Sequence, residues 1–390
     1  MNRDRAFLVG GAVVLPDRLL DPGTVVIDGN RIVEVSSGGG DLSGHVIVPG
    51  FIDVHVHGIE GDDALDGTQA IARMAARLPR FGVTAFCPTS IACPPVELAA
   101  MLEGIHAARA RPVPGSARVL PAHLESNFIN AEFKGAQPVA CIRAPRETRR
   151  GQFSGPDILA VIAAARADVG IITVAPEIDG VLDLIPELVR NGHRVSLGHS
   201  GATYEQAIAG IAAGARHATH LFNRMTPLGH RTPGLTGAVL ERDELAAEII
   251  CDGVHVHPAA IRAAVAAKGA SRMMAITDGT AGSGLPRGTR TALGGRPITV
   301  GDAAYLDDGT LAGSVLTMDR AFATLVKGIG FNLVDASLMC STTPARELGL
   351  SGLGEIAPGA VADLVVLDAG LRVAATYVGG EERRPEHSRL

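Results

Sequence analysis

Hydrophobic and polar positions change their pattern near Val46. Before that point the runs Phe7-Leu-Val-Gly-Gly, Ala12-Val-Val-Leu, Thr24-Val-Val-Ile and Arg31-Ile-Val-Glu-Val read as short strands, and Asp28-Gly-Asn30 reads as a hairpin turn because these residues tolerate positive φ. A segment of this size cannot build a large core by itself. The carboxyl end supplies matching β-prone runs at 354–368 and 373–378, so the two chain ends are expected to pair into one small β-sandwich domain, residues 1–48 with 346–390. Between them apolar runs alternate with alanine- and leucine-rich stretches. Strands are predicted at 50–54, 83–87, 118–122, 170–174, 194–197, 215–219, 247–251 and 273–277, with helices among them at 67–78, 95–110, 157–167, 204–213 and 258–268. Parallel neighbours need helical crossovers, and eight units at a spacing of roughly 25–30 residues predict an α/β fold, a TIM-like (β/α)8 barrel over 49–345. After Asp278 the Gly-, Thr- and Asp-rich text through residue 310 predicts loops and short strands, and 318–348 a last helical region.

Composition narrows the class. Nearly half of the 390 residues (46%) are hydrophobic, yet aromatics are 3% and tryptophan is absent, so the core must be built from Ala, Val, Leu and Ile. A net charge of −6 with no basic stripe argues against nucleic acid and anionic membranes as partners. The five cysteines are scattered, odd in number and without a C-x-x-C pair, which argues against a disulfide framework. The amino terminus lacks a secretory h-region and no window reaches the ~20 apolar residues of a spanning helix, so a soluble, cytoplasmic protein is expected.

Candidate chemistry sits at strand ends. The runs ending in His199 and His220 place two imidazoles at adjacent strand termini, and in a parallel barrel such residues converge on the carboxyl face. Either histidine alone is more often a hydrogen-bonded structural residue; together they suggest a metal. His55-Val-His57 closes the first barrel strand, where a period of two points both rings to one face so that they can share an ion. The alternative for this pair is two ordinary strand-end residues.

The stretch Pro49-Gly-Phe-Ile-Asp-Val-His-Val-His-Gly58, taken with His199, His220 and Thr277-Asp278, resembles the amidohydrolase superfamily of metal-dependent barrels. A closer resemblance runs in order from about residue 48 to 368: His123-Leu-Glu-Ser-Asn-Phe128, Lys134-Gly135, Leu197-Gly-His-Ser200, Thr219-His-Leu-Phe-Asn223, Arg231-Thr-Pro-Gly234, Asp252-Gly-Val-His255 and Leu311-Ala-Gly-Ser-Val-Leu-Thr-Met318 are similar to motifs of the N-acetylglucosamine-6-phosphate deacetylases. The resemblance implies an enzyme, commonly a homodimer, that hydrolyses the N-acetyl amide of an amino-sugar 6-phosphate. It makes Glu125, His199 and His220 the ligands of the main divalent metal, zinc in the first instance with Fe, Co or Mn as alternatives. One carboxylate and two imidazoles leave a position for water, which suits that role. His55 and His57 add room for a second ion, giving one or two per subunit. Asp278 becomes the general base, which takes a proton as the nucleophile forms and returns it to the departing amine; an aspartate before glycine is otherwise a turn residue.

Substrate contacts carried over by the same resemblance are Gln137, Asn223, Arg224, Arg231, His255, Leu311 and Gly313. Arg231 and His255 are assigned to the phosphate, Arg231 reaching across from a second subunit. A guanidinium suits phosphate through paired charge-assisted hydrogen bonds, though an isolated arginine more often pairs with a surface carboxylate. The chain departs from the family at Ser126 and Asn127, where glycine and proline are usual, and at Gln137, where a histidine helps to polarise the acetyl carbonyl. Glutamine donates a hydrogen bond but carries no charge, so either a second metal shares that task or the substrate differs. A cyclic-amide hydrolase with a carboxylated strand-end lysine is disfavoured, because Lys134 falls in a loop-like stretch. A catalytically dead sugar-phosphate sensor is disfavoured by the complete ligand set with Asp278 and kept in view by Gln137.

Overall fold

The computed structural model describes residues 5–384. Eight parallel strands, Phe51–Val56, Val83–Ser90, Ala122–Leu124, Val169–Val174, Arg194–Leu197, His217–Ala218, Ala246–Ile250 and Met273–Ile276, neighbour one another in chain order. They are the first to eighth barrel strands below. Ladder contacts between the eighth and first strands close the ring: Val56 and Gly279 form a parallel bridge, His57 N–H donates to Gly279 O at 2.8 Å, and Asp278 N–H donates to His55 O at 2.9 Å. This closure lies at the carboxyl ends, so the seam sets His55, His57 and Asp278 side by side.

Two predicted strands differ in extent. Pro121 has no N–H to give a ladder, so the run expected at 118–122 divides: Arg118–Val119 pairs only with the second strand, and Ala122–Leu124 alone joins both neighbours. The sixth strand shrinks to His217–Ala218.

Helices pack outside the barrel with apolar stripes inward, as in Thr68–Arg77, where Ala70, Ile71, Met74 and Ala75 are buried. Ser154 and Thr203 start the helices Gly155–Ala164 and Tyr204–Ala213 with reciprocal capping boxes. The named helical stretches left out Val181–Arg190 and Gly234–Glu241. The first carries Pro186 in its interior and the second starts with two glycines in four residues, both poor helix signals that tertiary packing overrides. The region 318–348 is three short α-segments joined by π-helical turns at Thr324–Ile329 and Leu338–Thr342.

Strands from both chain ends form a single seven-stranded mixed sheet in which Val46–Pro49 bridges the amino-terminal Arg5–Val14 and the carboxyl-terminal Leu364–Leu367. The outer strand Arg31–Ser37 returns to the other half of the sheet through an Arg31–Val361 bridge and an Ile32 N–H to Ala360 O bond of 2.9 Å. The two layers of the sandwich are therefore one sheet rolled around its own core, which includes Val25, Ile27, Ile32, Ile47, Leu364 and Val366. A three-stranded antiparallel sheet, Arg290–Leu293, Arg296–Val300 and Ala304–Leu306, occupies the stretch expected to hold short strands. Its apolar side packs with Ile91, Ala312 and Val315 beside the barrel mouth. Among the described residues all five cysteines are free and buried, and no helix is long and apolar enough to cross a membrane.

Candidate metal centre and active-site pocket

Three of the strand-end residues are placed by an abrupt turn. His199, His220 and Asp278 all have positive φ (47°, 32° and 47°), a region that non-glycine residues enter only where the surroundings impose it. The chain leaves each strand in that turn and aims the side chain over the barrel axis.

Glu125, just past the third strand, is where the groups meet. Its Oε1 lies 2.8 Å from His199 Nε2 and 2.8 Å from His220 Nε2, and these two nitrogens are 3.0 Å apart. On the first-strand side Oε1 is 3.7 Å from His55 Nε2 and Oε2 is 3.6 Å from His57 Nε2. Asp278 Oδ1 faces the same pair, 3.2 Å from His57 Nε2 and 3.4 Å from His55 Nε2. One carboxylate thus joins two possible ligand groups, Glu125 with His199 and His220, and Glu125 with His55 and His57.

For three of the four rings the far side decides what Nε2 can do, while among the described residues His220 Nδ1 has no hydrogen-bond partner. Phe133 O lies 2.8 Å from His199 Nδ1, Thr89 O lies 3.2 Å from His57 Nδ1, and Glu248 Oε2 lies 2.9 Å from His55 Nδ1. Each of these oxygens accepts, so each Nδ1 holds the proton and each Nε2 of a neutral ring presents a lone pair. Lone pairs of imidazoles and carboxylates then converge in a buried space, which requires either added protons or a cation. Without a cation the added protons fall to His57 and His220, whereas burial pulls His55 down to about 4. Burial pulls His57 down, but the hydrogen bond to Asp278 and the charge of Glu125 outweigh it and push the ring up to about 9. Burial likewise opposes protonation of His220, while Glu125 raises it to about 9. Glu125 is held well below the usual carboxylate range by His199 and His220 despite its burial. Oxygen and imidazole donors in this arrangement fit a divalent metal ion.

Beside the cluster is a cleft of about 70 Å³, lined by His57, Glu125, Gln137, His199, His220, Asn223, Arg224, His255, Asp278, Leu311 and Gly313 among others. A groove of about 1320 Å³ opens at the opposite, amino-terminal end of the strands beside Arg118, Val169 and Arg194, remote from the cluster. The chemistry belongs to the smaller space, which holds the candidate ligands. Of the residues singled out from sequence, all but two line it. His55 is fully buried beneath it within the cluster, and Arg231 is exposed on the Gly229–Thr232 turn and does not reach it within this chain.

Gln137 turns out to face the cluster. Its Oε1 accepts the Ala92 N–H at 2.7 Å, which orients Nε2 to donate to Glu125 Oε2. Ser126 and Asn127 brace the backbone: Ser126 Oγ donates to Thr173 O, and Asn127 Nδ2 donates to Cys93 O and Cys141 O, both at 2.8 Å. His255 Nδ1 is fixed 2.6 Å from Asp252 Oδ2. Sequence reasoning missed Glu248, whose signal was a lone carboxylate in the otherwise apolar run Ala246–Ile250, and missed the carbonyls of Thr89 and Phe133, which carry no side-chain signal.

A parallel barrel with a buried His/Glu/Asp cluster at its carboxyl mouth is the architecture of a metal-dependent hydrolase. The chain belongs to the amidohydrolase family, whose model matches residues 46–385. It is similar to N-acetylglucosamine-6-phosphate deacetylase of Rattus norvegicus, 36% identical with 96% of this chain and 93% of that protein covered. It is as similar to N-acetylgalactosamine-6-phosphate deacetylase of Escherichia coli O157:H7, at 36% with 86% and 87% covered. Among solved structures, N-acetylglucosamine-6-phosphate deacetylase of Thermotoga maritima superposes with a TM-score of 0.87 at 32% identity, covering 97% of this chain and all (100%) of that one. A variant of the Mycobacterium smegmatis enzyme in complex with N-acetyl-D-glucosamine-6-phosphate gives 0.89 at 33%, covering 97% and 99%.

Proposed function

We propose that this protein is a metal-dependent deacetylase that converts N-acetylglucosamine 6-phosphate to glucosamine 6-phosphate and acetate. The observation that carries the proposal is the meeting of four imidazoles and the Asp278 carboxylate around Glu125 beside the cleft. Glu125, His199 and His220 would hold the main ion and His55 with His57 a second, zinc being the metal best matched to this donor set. Bound there, the metal supplies Lewis-acid polarisation of the carbonyl and acidification of water.

The chain's own groups do the rest. Asp278 takes the proton of the attacking water and delivers it to the amine as the C–N bond breaks, since amines leave poorly unprotonated. Gln137 has a second Nε2 hydrogen beyond the one given to Glu125, and this donates to the carbonyl oxygen. The cleft is small enough to enclose an acetamido group and water, so the sugar and phosphate extend outward past Asn223, Arg224 and His255. Arg231, exposed and outside its own cleft, supports a homodimer in which it reaches the partner's phosphate. A cytoplasmic location suits a phosphorylated substrate that does not cross membranes.

The galactosamine relative, at the same 36% identity over a smaller share of the chain, keeps N-acetylgalactosamine 6-phosphate as a second reading. Acetate release from N-acetylglucosamine and N-acetylgalactosamine, each with and without 6-phosphate, tests the proposal. A higher kcat/KM for N-acetylglucosamine 6-phosphate than for the other three is expected. Preference for the galactosamine phosphate would shift the sugar, and indifference to phosphate would overturn the substrate class.

A further inference from the structure

Beneath the cluster lies a further buried carboxylate that the reaction outlined above does not use. Glu248 stands in the middle of the seventh strand with its side chain fully inside the barrel. Its Oε2 is 2.9 Å from His55 Nδ1 and also receives the His220 backbone N–H at 3.4 Å, whereas among the described residues Oε1 has no hydrogen-bond partner and lies 3.6 Å from His123 Nδ1. A carboxylate is costly to bury, and one with an unmatched oxygen in a strand of alanines and isoleucines contributes nothing obvious to packing. What it contacts gives it a purpose. His55 and His57 face each other at 3.3 Å between their Nε2 atoms, and His55 can offer a lone pair there only if its proton sits on Nδ1.

We infer that Glu248 is a positioning residue for a second metal ion: by accepting the Nδ1–H of His55 it fixes that ring's tautomer and orientation, and so makes the His55–His57–Glu125 group a working site. The inference rests on the deacetylase reading. A carboxylate behind a ligating imidazole raises the basicity of the ligand as well as aiming it. Glu248 is not itself a ligand in a separate site with His55 and His123, although the three lie close enough to form one. His123 has both nitrogens occupied, Nδ1 against Val54 O at 3.0 Å and Nε2 against Thr173 Oγ1 at 2.9 Å, and is braced rather than available.

The test is metal stoichiometry and affinity of the purified full-length chain, titrated with zinc from the metal-free state, for wild type, Glu248→Ala and Glu248→Gln. Wild type is expected to take two ions per chain. Glu248→Ala should keep the ion of Glu125, His199 and His220 and bind the other roughly 10- to 100-fold more weakly, while Glu248→Gln, whose carbonyl can accept the same hydrogen, recovers part of the loss. In zinc-loaded wild type with ¹⁵N-labelled histidine, His55 should show a protonated Nδ1 and a metal-bound Nε2. This readout needs no variant to fold. One or three ions in wild type, loss of both ions together in Glu248→Ala, wild-type affinity in both variants, or a metal-bound Nδ1 at His55 would each overturn the inference. A wild type with one ion that still releases acetate would remove Glu248 from this role and leave the deacetylase reading standing. Two ions without acetate release would do the reverse.

Discussion

Replacing Asp278 with asparagine removes one proton acceptor and little else. The residue sits at φ 47°, where asparagine is tolerated as well as aspartate, and its backbone bonds, N–H to His55 O at 2.9 Å and O from Ser314 N–H at 2.8 Å, are untouched. Its side chain faces His57 and His55 at 3.2 and 3.4 Å, and among the described residues no ion pair joins it to His199 or His220. The ion of Glu125, His199 and His220 should therefore stay. What is lost is transfer of the proton from water to amine, typically worth about 10²- to 10⁴-fold, or roughly 2.7–5.4 kcal/mol of barrier. The assay is steady-state acetate release from N-acetylglucosamine 6-phosphate with metal content measured on the same preparations. A fall in kcat of at least a hundredfold, with the main ion and KM near wild type, is expected. A loss smaller than about tenfold with the metal intact would exclude Asp278 as the base.

Three further outcomes follow from named contacts. His199→Ala should lose the main ion by elemental analysis, because it removes one of only three groups that meet at 2.8–3.0 Å; equal occupancy in variant and wild type would contradict the ligand set. Arg231→Ala should cost roughly tenfold to two-hundredfold in kcat/KM for a phosphorylated sugar, the worth of a charge-assisted hydrogen bond, with little effect on an unphosphorylated one, and mixing it with Asp278→Asn chains should restore activity if the arginine acts across subunits. Away from the site, burial pushes the Glu347 carboxyl up, but His217 and Arg346 outweigh it and hold it at about 2, against 4.5 for an ordinary glutamate. A depressed folded pKa stabilises the protein above about 4.5, and the contribution disappears as pH falls toward 2. The Tm gap between wild type and Glu347→Gln should therefore be widest near neutral pH and close through that window.

Much of this was legible because barrel strands end in chemistry. His199, His220 and Asp278 each follow a β-prone run directly, and the period of two in His55-Val-His57 holds in three dimensions, with both Nε2 atoms turned toward Glu125. Backbone conditions were harder to read. Pro121 divides the third strand through its missing N–H, while Pro186 is tolerated inside a helix because packing overrides local propensity. Gln137 looked like a substrate contact that had lost a charge, whereas its amide also grips a candidate ligand, a relation across twelve residues that no local pattern encodes. Arg231 shows the limit of a single chain, because the arginine assigned to the phosphate lies away from the cleft its own chain forms.

The central claim is that a metal held at Glu125, His199 and His220 is needed to break an acetamide bond in a phosphorylated amino sugar. The most direct measurement strips the purified protein with a chelator, confirms by elemental analysis that no metal is left, and follows acetate and free amine from N-acetylglucosamine 6-phosphate before and after zinc is returned. The account predicts no turnover in the stripped protein, and equimolar acetate and amine once the metal is restored. Undiminished acetate release from verified metal-free protein, or none after zinc is restored to a folded chain, would contradict it.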